Sequence, residues 1–311
     1  MKVLPSRLKT FRVAGVAPIL FLSSTLALAG PITFNTALPV AKRDGILRVQ
    51  YFRFQATDDP TALNRNVSVN AVPIVLGYGA TPRLALFGIV PIQRNSLEVN
   101  TPMGRVERSV SGFGDILFIA RYTAYQLDRH GSTIRLAPFG GIKFPTGRHD
   151  DSDRFGTIPR PIQLGSGSWD ALAGAVFTWQ TFQWEFDADA GYRKNTRHDA
   201  FRFGNQTFLD ASFQYRVWPG KLGAKGVPHF LFAVLETNLT HDQKNESAGL
   251  SDPTTGGTNW HIDPGLQYVT PDYIIEAVVQ IPAAQRLHGT ALREDYRVSV
   301  GFRWNFAFPG F

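Results

Sequence analysis

The chain has 311 residues, 43% of them hydrophobic, 18% charged and 13% aromatic, at a mean hydropathy of -0.11. It contains no cysteine, which excludes a disulfide framework, thiol chemistry and thiolate metal sites. The formal charge of +7 falls to +3 once the four basic residues among the first twelve are set aside, leaving 28 basic against 25 acidic, so the charge balance gives no case for nucleic acid as a partner.

Residues 1–29 read as an export signal. Lys2, Arg7, Lys9 and Arg12 precede an apolar core at 13–22, interrupted by Pro18. Ala27-Leu28-Ala29 is a small-residue cleavage site ahead of Gly30. The rival reading is an anchor helix, for which that core is short. No other run approaches the ~20 apolar residues a membrane helix needs. Residues 30–45 are mixed and contain proline. They are expected to pair with the following domain, to plug it, or to hang free.

From there the chain reads as twelve strands: 46–55, 67–78, 83–92, 113–125, 132–144, 169–179, 182–193, 206–217, 229–240, 258–269, 272–282 and 294–308. The first two alternate poorly. The seventh alternates over its whole length. Phe182, Trp184, Phe186, Ala188, Ala190 and Tyr192 share one parity, against Gln183, Glu185, Asp187, Asp189, Gly191 and Arg193 on the other. Period-two alternation over twelve residues, with aromatics at both ends of the apolar face, is the pattern of a strand that turns one face to lipid and the other to a lumen. Hydropathy misses such strands because every second residue faces away from lipid.

The connections alternate too. Links at 79–82, 126–131, 180–181 and 270–271 are short, with 218–228 as the exception. Those at 56–66, 93–112, 145–168, 194–205, 241–257 and 283–293 are long. Short turns on one side and long loops on the other are the pattern of an outer-membrane barrel, with the short side periplasmic. Aromatics collect at the strand ends on the outward parity: Tyr122, Trp179, Phe182, Trp184, Tyr215, Tyr268, Trp304, Phe306 and Phe308 at one end, and Trp169, Tyr192, Trp260 and Tyr296 at the other. The last strand ends in Phe308 and the chain in Phe311, either of which can serve as the terminal aromatic that barrel assembly recognises. The expected fold is therefore all-β, an antiparallel up-and-down transmembrane barrel over 46–311.

Several stretches resemble the outer-membrane barrel family of MetA-pathway phenol degradation proteins, often filed as transporters. They are YGATPRLALFGIVP (78–91), GFGDILFIARY (112–122), APFGGIKFPTG (137–147), LGSGSWD (164–170), DADAGYR (187–193) and DPGLQY (263–268). The resemblance implies a spanning barrel that helps small, often aromatic or apolar compounds across the outer membrane. It carries over no catalytic residue. Read from the residues alone, Pro145-Thr146-Gly147 ends a strand, and Gly165 and Gly167 supply turn conformations.

The inward parity assigns Glu185, Asp187, Asp189, Arg193, Asp210, Arg216, His261, Asp263, Arg297 and Arg303 to a solute path, with Asp115, Arg121, Arg135, Lys143, Asp170 and Glu236 on the same face. Charged rings can select solutes; equally, acids and bases can pair across the lumen and only fill it. Twelve strands lie between the filled eight-strand barrel and the open 16–18-strand channel, so a narrow, partly occluded pore is expected. His261 and Asp263, two apart, read as a hydrogen-bonded lumen pair. The pairs His149-Asp150, His198-Asp199 and His241-Asp242 fall in long loops and read as solvated charge rather than a metal or water-activating site. His130-x-Ser132 resembles the H-x-S of outer-membrane phospholipases but lies in a short turn, and no phosphate-cradling loop is present. Membrane lipid, a small-molecule solute and the outer-membrane assembly machinery are the expected partners, with no cofactor. An outer-membrane hydrolase and a structural or adhesive barrel are the alternative functions.

Overall fold

Twelve antiparallel strands close on themselves in the computed structural model, which describes residues 29–221 and 229–307. Residues 1–28, expected as most of an export signal, and the terminal Phe308 and Phe311 lie outside the described residues. The strands are β1 (Asp44–Ala56), β2 (Asn66–Gly79), β3 (Leu84–Thr101), β4, β5 (Ser132–Phe144), β6 (Asp170–Thr181), β7 (Trp184–Lys194), β8 (Gln206–Trp218), β9 (Phe230–Asp242), β10 (Gly257–Val269), β11 (Tyr273–Leu287) and β12 (Tyr296–Ala307). β4 consists of three successive segments, Gly104–Phe113, Ile116–Tyr122 and Tyr125–Arg129. β1 pairs with β2 on one side and β12 on the other, with Asp44 opposite Ala307 and Gln55 opposite Tyr296. Closure leaves no open sheet edge, which is what allows strands to cross a bilayer.

The alternation read in β7 is the alternation seen. Glu185, Asp187, Asp189 and Arg193 are all buried inside, while Phe182 is 66% and Tyr192 42% exposed on the outer surface. Outward aromatics meet each other at the short-turn end: the Trp179 and Trp184 rings lie 4.9 Å apart, and those of Tyr273 and Phe302 5.9 Å. Leu76, Phe118, Leu136, Leu209, Leu235, Leu266 and Ile281 continue this apolar outer belt. A belt of that extent matches lipid rather than water.

β3, β4 and β11 run well past the boundaries of the pattern reading, and most of the expected link 126–131 is itself paired, Tyr125–Arg129 lying opposite residues 132–136. Most of 93–112, expected as a loop, is the continuation of β3 and β4 as a paired hairpin, with Thr101 opposite Gly104. β11 likewise runs on to Leu287. Beyond the membrane a ladder needs no apolar outer face, so period-two hydrophobicity stops before the strand does. The weak alternation of β1 and β2 also has a cause. Their inward residues Ile46, Phe52, Phe54, Val67, Val69, Ala71 and Val75 are apolar but share that face with Arg48 and Gln50, and the outward face mixes apolar residues with Arg53, Gln55, Ser68 and Asn70, so neither face has a single chemistry.

The loops on the long side are tied down. Loop 57–65 is held by Asp59, whose carboxylate accepts Nε of Arg65 at 2.9 Å, Nη2 at 2.6 Å and the Arg65 backbone N–H at 2.6 Å. Burial alone would raise the Asp59 carboxyl. The Arg65 and Thr61 hydrogen bonds outweigh it and hold the group at about 2. A carboxyl depressed in this way stabilises the fold fully above its ordinary value of about 4 and loses that contribution as pH falls through about 2. Pepsin cleavage within 57–65 is expected to quicken between pH 4 and pH 2 in the native chain, and to be fast already at pH 4 in Asp59→Asn. Equal rates for the two chains at pH 4 would contradict this.

Candidate functional site

Inside the barrel two unlike walls face each other. On β1–β5 the inward residues are mostly aliphatic and aromatic, among them Phe54, Val69, Phe87, Ile89, Leu117 and Phe139, with Arg48, Gln50, Asn95, Arg121, Arg135 and Lys143 set between them. On β6–β12 charged and amide side chains predominate, with apolar groups such as Leu172, Phe208, Phe232, Val234 and Val278 among them. Cross-strand register places carboxylates against carboxylates, Asp189 opposite Asp210 and Glu236 opposite Asp263.

Every residue assigned to the solute path is on this inner face, but their partners vary. Glu185 accepts from Gln180 and from the Thr36 hydroxyl, and Asp187 from Thr178 and Gln214. Asp210 accepts from Asn238 at 2.9 Å. Arg216 donates to Gln183 at 2.6 Å, with its guanidinium 5.5 Å from the Phe230 ring. Arg297 pairs with Glu294 at 2.7 Å, and Arg303 with Glu276 at 3.3 Å. Oδ1 of Asp189 and of Asp263 and Nη2 of Arg193 are buried without a partner. The expected His261–Asp263 hydrogen bond is not made. His261 Nε2 lies 2.9 Å from Oε2 of Glu294, while Asp263 accepts from Gln280 at 3.2 Å. Residues two apart on a strand sit about 7 Å apart, so each finds a partner on a neighbouring element.

Residues 29–40 lie within the lumen, threaded between the two walls. Glu236 accepts the backbone N–H of Ile32 at 2.6 Å and that of Thr33 at 2.9 Å. Arg48 donates to the Ile32 carbonyl at 2.7 Å, and Arg121 to the carbonyls of Thr36 and Leu38. The Thr178 hydroxyl accepts the Ala37 N–H at 2.7 Å. Ala37 and Val40 pack into the apolar wall, and Ile32 packs against Phe232, Val234 and Val278 on the opposite side. A segment without secondary structure thus has its backbone groups satisfied by wall side chains, which is what burial requires.

The long loop 145–168 folds inward as a second closure, at the other end. Ile158, Ile162 and Leu164 pack against Phe52, Phe54, Val69 and Leu97. Its two roots are fastened at one carboxylate, Asp115, in the break of β4. Asp115 accepts the Gly147 N–H at 3.0 Å, the Ser166 N–H at 3.0 Å and the Lys143 ammonium at 2.8 Å. Lys143 also pairs with Asp170 and donates to the Ser166 hydroxyl. Gly147 and Gly165 touch: a Cβ on Gly165 would lie 2.3 Å from the Gly147 carbonyl oxygen and 2.6 Å from Asp115. Of Gly165 and Gly167, Gly167 alone carries the positive φ, +74°, of a glycine turn. The stretches GFGD, KFPTG and LGSGSWD, far apart in the chain, therefore meet at this latch. Their spacing alone does not reveal it; an acid, a base and paired glycines in three separate Gly-rich stretches are the only sequence signal.

The loop His-Asp pairs come together in part. The His149 and His198 rings are 4.5 Å apart, and Asp199 is 3.4 Å from His198 but also 3.0 Å from Arg160, whereas His241 bonds Thr258. Among the described residues no three His, Asp or Glu side chains are placed to hold a metal. Ser132 Oγ accepts Trp179 Nε1 at 3.1 Å in its short turn.

The family described as Putative MetA-pathway of phenol degradation matches residues 69–289. The COG4313 outer membrane channel from Pseudomonas putida F1 superposes with a TM-score of 0.64 at 16% identity, over 87% of this chain and 97% of that one. The β domain of the Bordetella autotransporter BrkA superposes with a TM-score of 0.47 at 13% identity, over 85% and 99%. No curated protein sequence matches the chain. The first likeness is one of fold, that of an outer-membrane barrel.

Proposed function

Because the chain belongs to the family of MetA-pathway phenol degradation barrels, we propose that it is an outer-membrane conduit for passive uptake of small aromatic or apolar solutes. The observation that carries this reading is the two-faced lumen. A general porin lines its channel with polar groups throughout, and a filled barrel pairs its charges. Here a mostly aliphatic and aromatic wall, with Arg48, Arg121, Arg135 and Lys143 set in it, faces a wall rich in carboxylates, two of which, Asp189 and Asp263, keep an oxygen without a partner. Such a lining can shelter an apolar ring on one side and leave its polar substituents hydrated or hydrogen-bonded on the other. The export signal and the exposed apolar belt support residence in the outer membrane.

The test is flux into liposomes carrying the processed chain, comparing benzoate, benzyl alcohol and a disaccharide. The aromatics are expected to pass faster than size alone allows. Sorting by size alone would make the barrel a general pore, and no flux from a correctly folded barrel would overturn the reading.

A further inference from the structure

At the short-turn end of the lumen, beneath residues 38–41, lies a cavity of about 320 Å³. That volume is within the ~300–1,000 Å³ of small-molecule sites. Leu38, Pro39, Val40 and Ile46 give it an apolar side. The lining also includes Arg135 of β5, whose side chain is only 10% exposed. Its Nη1 donates to Asp128 at 2.6 Å, at the half-exposed turn, but its Nε is buried with no partner. Nε and Nη2 form the edge of a guanidinium that grips a carboxylate side-on, and Asp128 takes neither of them, so that edge is uncommitted beside a cavity with an apolar side. The other charged group lining the cavity is Asp44 on β1. It repels an anion, so a bound acid would keep its carboxylate toward β5 and its apolar body under Leu38 and Val40.

We infer that this vestibule is a binding site for a small aromatic carboxylate, held by Arg135 with its ring against residues 38–41. The inference deepens the conduit reading and rests on it for the site's purpose, but not for binding itself. It also gives Asp128 a role, as a rival carboxylate that already occupies the other side of the same guanidinium. Ligand and Asp128 compete for one charge, so the two substitutions act in opposite directions.

Calorimetric titration of the full processed chain in detergent with benzoate, and with benzyl alcohol as its neutral isostere, tests this. Arg135→Gln is expected to weaken benzoate binding roughly tenfold or more, the usual magnitude for a lost charge-assisted hydrogen bond, and to leave benzyl alcohol unchanged. Asp128→Asn is expected to tighten benzoate several-fold, which a merely structural Arg135–Asp128 pair would not do. Equal affinity of the two ligands, or benzoate binding indifferent to both substitutions, would overturn the site. Flux in liposomes without Arg135-dependent binding would reject the site and keep the conduit. Arg135-dependent binding without flux would keep the site and reject the conduit.

Discussion

Asp115→Ala should free the inward loop. The substitution removes the acceptor for the Gly147 and Ser166 backbone N–H groups and one of the two carboxylates on Lys143. Breaking a buried pair of this kind costs about 3–5 kcal/mol, because the groups left behind stay buried and unpaired. The cost falls on the two loop roots, since the β5–β6 register does not run through Asp115. A shift of about 4 kcal/mol changes an open-to-closed ratio by roughly three orders of magnitude. Amide exchange across 148–163 is expected to quicken on that scale, and solute flux to rise, while the β1–β12 ladder stays protected. Native-like protection of 148–163 in the variant would show that the latch does not hold the loop.

Removing residues 31–41 is the second change with a large expected effect. In the intact chain their backbone satisfies Glu236, Arg48, Arg121 and Thr178, and their side chains join both walls. The wall has its own continuous hydrogen-bond ladder from β12 to β1 and does not need the segment to close. Water can take over at the freed charged groups, so the barrel is expected to fold and its single-channel conductance to rise severalfold. Unchanged conductance from a folded variant would mean that the segment does not obstruct the path.

The wall of this barrel was legible because lipid imposes one chemistry on one face, so β7, β8 and β10 declare themselves by parity alone. Legibility ended where that constraint ended. Past the membrane, Gln93 to Thr101 could stay paired without an apolar face. In β1 and β2 apolar residues lie on both faces, and polar ones too, Arg48 and Gln50 inside and Arg53 and Gln55 outside, which erased the contrast. The parity that placed Glu185 or Arg303 on the lumen face could not choose their partners, which come from other strands and from the threaded segment. The same limit applied to His261, whose partner Glu294 lies outside the strands. The latch at Asp115 joins groups 28 and 51 residues away, and no local period records such a contact.

Because the chain contains no cysteine, a single introduced pair can report on the closure without background. The hydroxyls of Thr36 and Thr178 are 3.0 Å apart, close enough for a disulfide between Thr36→Cys and Thr178→Cys to tie the inner segment to β6. Benzoate and benzyl alcohol flux through the double variant should be abolished when the pair is oxidised and restored by dithiothreitol. Equal flux in the oxidised and reduced barrels would contradict a lumen that opens by moving residues 29–41.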